Sequence, residues 1–161
     1  MIGDENYRGA FAQVRPPDPR ETIPHPKRDI YYGRGFDLGM DSQQILLESY
    51  LTLAHEMAHH MLGHTFEAAP SSDDELSADR TAACIVKALI QKGPMTIDKR
   101  PESIAGSLQD LKAIYRAPEH RPSDPSHPAA EARVKQVELG WAYATSGRSP
   151  YRNNPCSGVT Q

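Results

Sequence analysis

Between residues 43 and 63 the apolar positions keep a helical rhythm. Ile45, Leu46, Leu47, Tyr50, Leu51, Leu53, Ala54, Met57, Ala58, Met61 and Leu62 recur at the spacing of one long helix, with no proline among them. Asp41, with Gln44 three residues on, reads as its cap. On a helical wheel Leu46, Leu53, Met57 and Met61 gather on one side. His55 and His59 lie on roughly the opposite side, flanked by Leu51 and Leu62. A helix apolar on both sides is expected to lie beneath another layer of structure.

Three further helices are predicted. One covers about 73–91, after a short loop, and its Ala78, Ala82 and Ala83 would let it approach the first closely as an antiparallel hairpin. A third covers about 103–116, with Ile104, Leu108, Leu111 and Ile114 or Tyr115 on one face. A fourth covers about 129–145 and carries Val134, Val137, Leu139 and Trp141. Ahead of the helices, Asp29-Ile30-Tyr31-Tyr32 reads as a short strand bounded by Gly33, Gly35 and Gly39, with Phe11-Ala12-Gln13-Val14 as its candidate partner. The expected class is mainly α (α+β), with a small sheet or hairpin before the first long helix. The expected organisation is an N-terminal arm at 1–28, one domain at 29–146 and a flexible tail at 147–161.

Composition narrows the function classes. A chain of 161 residues supports one modest core. The formal net charge is −3 with no basic stripe, so nucleic acid is not an expected partner. Glu48 and Ser49 break the longest apolar stretch, so no transmembrane segment is expected. No charged and apolar leader pattern opens the chain, so no signal peptide is expected in it. A cytoplasmic location is the default, and an exported one applies if the chain is processed. Cys84 reads as a small core residue, and Cys156 falls in the polar tail.

The chemistry lies in the first long helix, in His55-Glu56-Met57-Ala58-His59. Side chains four apart stack on one helical face, so both imidazoles reach one metal ion. Glu56 sits about 100° round the helix, beside the metal, where a carboxylate serves as general base for water. A catalytic zinc takes three protein ligands and leaves one position open. Glu75 is the best candidate for the third, with Asp73 and Asp74 as competitors. Asp79, four residues on, would accept a hydrogen bond from the outer nitrogen of a ligand histidine. Capping competes for the same residues, because Ser72-Asp73-Asp74-Glu75 is also a capping-box pattern. His60 points about 100° away from His59 and is set aside as a ligand. His64 is set aside too, as a hydrogen-bonded histidine near Met57 and Met61 on the face away from the metal.

These residues give the chain a resemblance to gluzincin metallopeptidases, most of all the HtpX and OMA-type endopeptidases and the related CAAX prenyl proteases. Three blocks carry it: 53–59 is similar to the family's zinc helix, 75–79 to its Glu-x-x-Ala-Asp block, and Ser126-His127-Pro128 with Arg133-Val134 to its His-Pro and downstream Arg block. The resemblance implies a zincin-like fold, one zinc ion on His55, His59 and Glu75, and Glu56 as general base. It also implies Asp79 behind a ligand, His127 near the reacting carbonyl and Arg133 anchoring its segment through a carboxylate. Fifteen residues separate His59 from Glu75, which makes this a compact version.

The expected function is zinc-dependent endopeptidase action on a peptide or unfolded protein, by metal-activated water. The predicted strand could present an extended peptide to the metal by edge pairing. The alternatives are an antirepressor-type regulatory protease with one protein substrate, or a non-catalytic binding module stabilised by zinc. Cys156 as an inhibitory ligand is a minor alternative.

Overall fold

The long helix predicted from the apolar rhythm is α1, Gln43–Leu62. In the computed structural model the described residues are 10–15, 20, 27–32, 43–64, 71–92, 101–116, 128–144 and 156. Among them are the strands β1 (Ala10–Arg15) and β2 (Lys27–Tyr32) and the helices α1, α2 (Ser72–Lys92), α3 (Pro101–Arg116) and α4 (Ala130–Tyr143). The fold is mainly helical. The expected cap at Asp41 and the candidate His127 lie outside the described residues.

β1 and β2 pair antiparallel, with Phe11 opposite Tyr31 and Gln13 opposite Asp29. The pair is fastened to the end of α1. Arg28 donates to the carbonyl of His60, and Nε2 of His60 lies 3.1 Å from the carbonyl oxygen of Asp29. His60 is thus turned to the strands, and among the described residues it is not one of the group that could hold a metal ion.

The core is built where α1, α2, α3 and α4 meet. Leu47, Leu51 and Ala54 of α1 pack with Ala82, Ala83, Val86 and Ile90 of α2, Leu111, Ile114 and Tyr115 of α3, and Val134, Val137 and Trp141 of α4. The predicted wheel needs correcting. Met57 and Met61 are 42% and 47% exposed, and Leu139 of α4 is exposed as well. The buried arc of α1 runs through Leu47, Leu51, Ala54 and Ala58, alongside His55 and His59. Core and histidines share one side because α2 covers both, and the two methionines are left on the other.

Side-chain pairings fix the helix directions. His64, His59 and His55 meet Asp74, Glu75 and Asp79 in reverse order, so α1 and α2 are antiparallel. Small residues permit the approach, since Ala58 and Ala78 are fully buried. The two helices α2 and α4 come close at Gly140, where an added Cβ would fall 1.9 Å from the carbonyl oxygen of Arg80. No side chain other than hydrogen fits there. Lys87 of α2 closes this seam, donating to the carbonyl of Trp141 at 2.8 Å. Burial lowers its pKa.

Cys156 is disulfide-bonded to Cys84 of α2 across 72 residues. Cys84 is fully buried, as expected of a small core residue, and its bond to Cys156 corrects the minor idea of Cys156 as a metal ligand. No described helix is long and apolar enough to cross a membrane.

Candidate metal centre

His55 and His59 lie one turn apart on α1, and their rings meet edge to face with centroids 4.7 Å apart. Their Nε2 atoms are 3.0 Å from each other. Glu75, in the first turn of α2, brings Oε2 to 3.2 Å from His55 Nε2 and Oε1 to 3.5 Å from His59 Nε2. Bonds of about 2.0–2.1 Å in a tetrahedral zinc site separate neighbouring ligand atoms by roughly 3.3 Å. The three donors already stand at that spacing, so His55, His59 and Glu75 can hold a metal ion.

Capping explains why Glu75, and neither of its acidic neighbours, faces the histidines. The reciprocal cap of α2 is set one residue earlier than the sequence pattern indicates. The amide of Asp74 donates to Ser71 Oγ at 3.2 Å. Asp74 Oδ2 accepts from the amide and hydroxyl of Ser71 at 2.9 and 2.8 Å. The backbone amide of Glu75 is satisfied by the Ser71 carbonyl at 3.0 Å. Asp74 therefore caps the helix, Asp73 is exposed, and the Glu75 side chain is left to turn inward.

Behind His55 lies Asp79, fully buried. Its Oδ1 sits 3.0 Å from His55 Nδ1. A carboxylate on Nδ1 keeps a proton on that nitrogen and leaves Nε2 as the lone-pair donor. Arg133 grips the other side of Asp79 with two parallel hydrogen bonds, Nε to Oδ2 at 2.7 Å and Nη2 to Oδ1 at 2.8 Å. Tyr115 of α3 donates a third contact to Oδ1 at 2.6 Å, and the Arg133 guanidinium stacks over the Tyr115 ring at 4.5 Å. Asp79 thus links α1, α2, α3 and α4. Nothing in the sequence pattern singled out Tyr115, which reads there as one more apolar-face residue of α3.

The charges follow from this packing. Burial alone would lower the His55 pKa, but hydrogen bonds to Asp79 and Glu75 outweigh it and raise it from 6.5 to about 10 in the metal-free protein. Burial would raise Glu75, yet its hydrogen bonds to His55 and His59 hold it well below the usual carboxylate range. Asp79 behaves likewise, with burial opposed by hydrogen bonds from Arg133 and His55 that lower its pKa. Burial and the nearby Asp79 carboxylate push the Tyr115 phenol well up, so it stays a neutral donor.

His64 is not where the wheel places it. Gly63 adopts a left-handed φ of 73°. The amide of His64 then donates to the His59 carbonyl at 3.1 Å and that of Gly63 to the His60 carbonyl at 3.4 Å. This is a Schellman turn, and it folds the chain back over the last helical turn. His64 Nδ1 arrives 2.8 Å from His59 Nδ1. His64 is outside the ligand trio, as expected, but it is beside the metal centre rather than across the helix from it.

Glu56, next to His55 on α1, is half-buried. Compared with protein-family models, curated proteins and solved structures, the chain matches none.

Proposed function

We propose that this chain is a zinc-dependent endopeptidase of compact gluzincin type, similar to the HtpX, OMA-type and CAAX prenyl protease group. The observation that carries the reading is the convergence of two imidazole Nε2 atoms and the Glu75 carboxylate, with Glu56 immediately after the first histidine. The donor set favours zinc, since two imidazoles and one carboxylate are a catalytic zinc set with a fourth position to spare. Zinc held there supplies a Lewis acid that polarises a carbonyl and brings the pKa of water to about 7.

The remaining chemistry belongs to the chain. The Glu56 carboxylate takes a proton from the attacking water and returns it to the leaving amine. Asp79 and Arg133 hold His55 in the tautomer that presents Nε2. His127 is assigned by resemblance to the side of the reacting carbonyl. The β1–β2 pair is fastened to α1 through Arg28 and His60, and an extended peptide is expected to reach the site by pairing along one of its strands.

The test pairs metal analysis of the purified protein with digestion of a peptide library, using Glu56→Gln as control. Zinc at one per chain in both proteins, with turnover lost by at least about 100-fold in the variant, is the expected result. Retained turnover in Glu56→Gln removes Glu56 from its role. Zinc without cleavage of any peptide or protein points to a metal-stabilised binding module, and cleavage confined to one protein points to the antirepressor type of protease.

A further inference from the structure

The two histidines of the trio are supported differently. His55 rests directly on the buried carboxylate of Asp79, whereas His59 rests on another imidazole. We infer that His64 is a positioning residue for the metal centre, accepting a hydrogen bond from Nδ1 of His59 and relaying it to Asp74, so that His59 presents Nε2 to the metal. The inference rests on the reading of His55, His59 and Glu75 as metal ligands and adds a residue outside that set.

The hydrogen-bond arithmetic leaves one arrangement. Two Nδ1 atoms 2.8 Å apart need one proton between them. If His59 Nε2 is to be a lone-pair donor, a neutral His59 carries its proton on Nδ1. His64 must then accept at Nδ1 and carry its own proton on Nε2. The surroundings of His64 Nε2 suit a donor there. Asp74 Oδ1 lies 3.3 Å away, and so does Ser77 Oγ. The Ser77 hydroxyl is already committed as donor to the Asp74 carbonyl at 3.0 Å, which leaves its oxygen to accept.

Both ends of this relay are fixed by helix termini. The Schellman turn at Gly63 brings His64 over His59. The cap at Ser71 holds Oδ2 of Asp74, and Oδ1 is turned to His64. The C-terminus of α1 and the N-terminus of α2 therefore do a second job, which suits an acid at position 74: a serine or threonine there would lack the second oxygen that accepts the His64 hydrogen bond. His59 is thereby tied to a carboxylate that is 39% exposed, through one intervening ring, while Asp79 behind His55 has no exposed surface.

The test uses the full chain with zinc alone as the probe. Long-range proton–nitrogen correlation spectra of the zinc-loaded, histidine-labelled wild type read the tautomers directly. The expected spectrum has His59 protonated on Nδ1, and His64 protonated on Nε2 with an unprotonated Nδ1. Zinc dissociation constants are then measured for His64→Leu and His64→Asn. The leucine removes the acceptor, and the asparagine oxygen takes the place of Nδ1. Loss of outer hydrogen bonds to ligand histidines typically weakens metal binding about 10- to 100-fold. That loss is expected in His64→Leu, with recovery of most of it in His64→Asn. A proton on His64 Nδ1 in the loaded wild type overturns the inference whatever the variants do. Equal zinc affinity in His64→Leu and wild type overturns it alone and leaves the metal centre standing. A wild type that binds no zinc overturns the metal centre and this inference together.

Discussion

Oδ1 of Asp79 lies 3.0 Å from Nδ1 of His55, so a carboxylate with no exposed surface on α2 aims an imidazole on α1 toward Glu75 and His59. Arg133 and Tyr115 complete the hydrogen bonding of that carboxylate from α4 and α3. Helix packing and the geometry of the candidate metal site therefore share the same contacts.

Replacing Asp79 with asparagine keeps the shape and removes the anion, leaving the Arg133 guanidinium without its charge partner. Breaking a buried pair in this way costs about 3–5 kcal/mol, measured by urea denaturation of the metal-free protein. Zinc affinity should fall about 10- to 100-fold. Tyr115→Phe removes one hydrogen bond and should cost less, about 1–2 kcal/mol. A folded Asp79→Asn protein with wild-type zinc affinity would contradict the link.

If zinc binds at this site, it should displace a proton from His55. His55 is faced by Asp79 and Glu75 of α2 and by His59 of its own helix, with Arg133 behind Asp79. Burial opposes its charge, but the hydrogen bonds to Asp79 and Glu75 lift its pKa from 6.5 to about 10. Because the folded value lies above the unfolded one, this contribution to the metal-free fold is complete below pH 6.5 and is lost as the pH rises through about 10. Zinc binding near neutral pH should release about one proton per chain. Calorimetric titrations in buffers of different ionisation enthalpy measure that number. Binding with no proton release would show that His55 is already neutral.

The Cys84–Cys156 bond closes a 72-residue loop and should matter for stability rather than for metal binding. Chain-entropy arguments give a loop of this size roughly 4 kcal/mol, an upper figure if the reduced state retains structure. Cys84 lies nine residues beyond Glu75 along α2, about 13 Å at helical rise. A Cys84→Ala/Cys156→Ala double variant should therefore lose denaturant resistance and keep its zinc affinity. Unchanged denaturation, or a large loss of affinity, would each count against this account.

Two glycines should respond differently to alanine. At Gly140 the new Cβ would strike the Arg80 carbonyl, so α2 and α4 must separate, at about 1–3 kcal/mol or more. At Gly63 nothing lies within 4 Å of an added Cβ, and only the left-handed backbone is strained, at about 1–2 kcal/mol. Thermal unfolding of the two variants should rank Gly140→Ala as the more damaged. The reverse order would mean that α2 and α4 are not packed this closely.

The sequence announces some of this and conceals the rest for identifiable reasons. The rhythm of residues 43–62 and the i, i+4 spacing of His55 and His59 are local properties, and the helix realises them directly. Glu75 was legible as the acid of a short helical hairpin, although the cap competing for it proved to be Ser71 with Asp74 rather than Ser72 with Glu75. Both windows place an acid three residues after a serine, and only backbone geometry separates them. A helical wheel misplaces His64 because it stops describing the chain at Gly63, where a left-handed residue reverses its course. The contacts of Tyr115 with Asp79, and the pairing of Cys84 with Cys156, join residues 36 and 72 positions apart. No periodicity reaches that far. The resemblance implies only that Arg133 anchors on some carboxylate, and spacing along the chain does not name Asp79 as that partner.

The most direct test is zinc-edge X-ray absorption on the purified protein, loaded with one equivalent of zinc. The account predicts a first shell of nitrogen and oxygen at about 2.0–2.1 Å, with the scattering signature of two imidazoles in the wild type and of one in His59→Ala. A shell containing sulfur, an imidazole count unchanged by His59→Ala, or failure of the protein to retain zinc would contradict the metal centre on which the proposed peptidase rests.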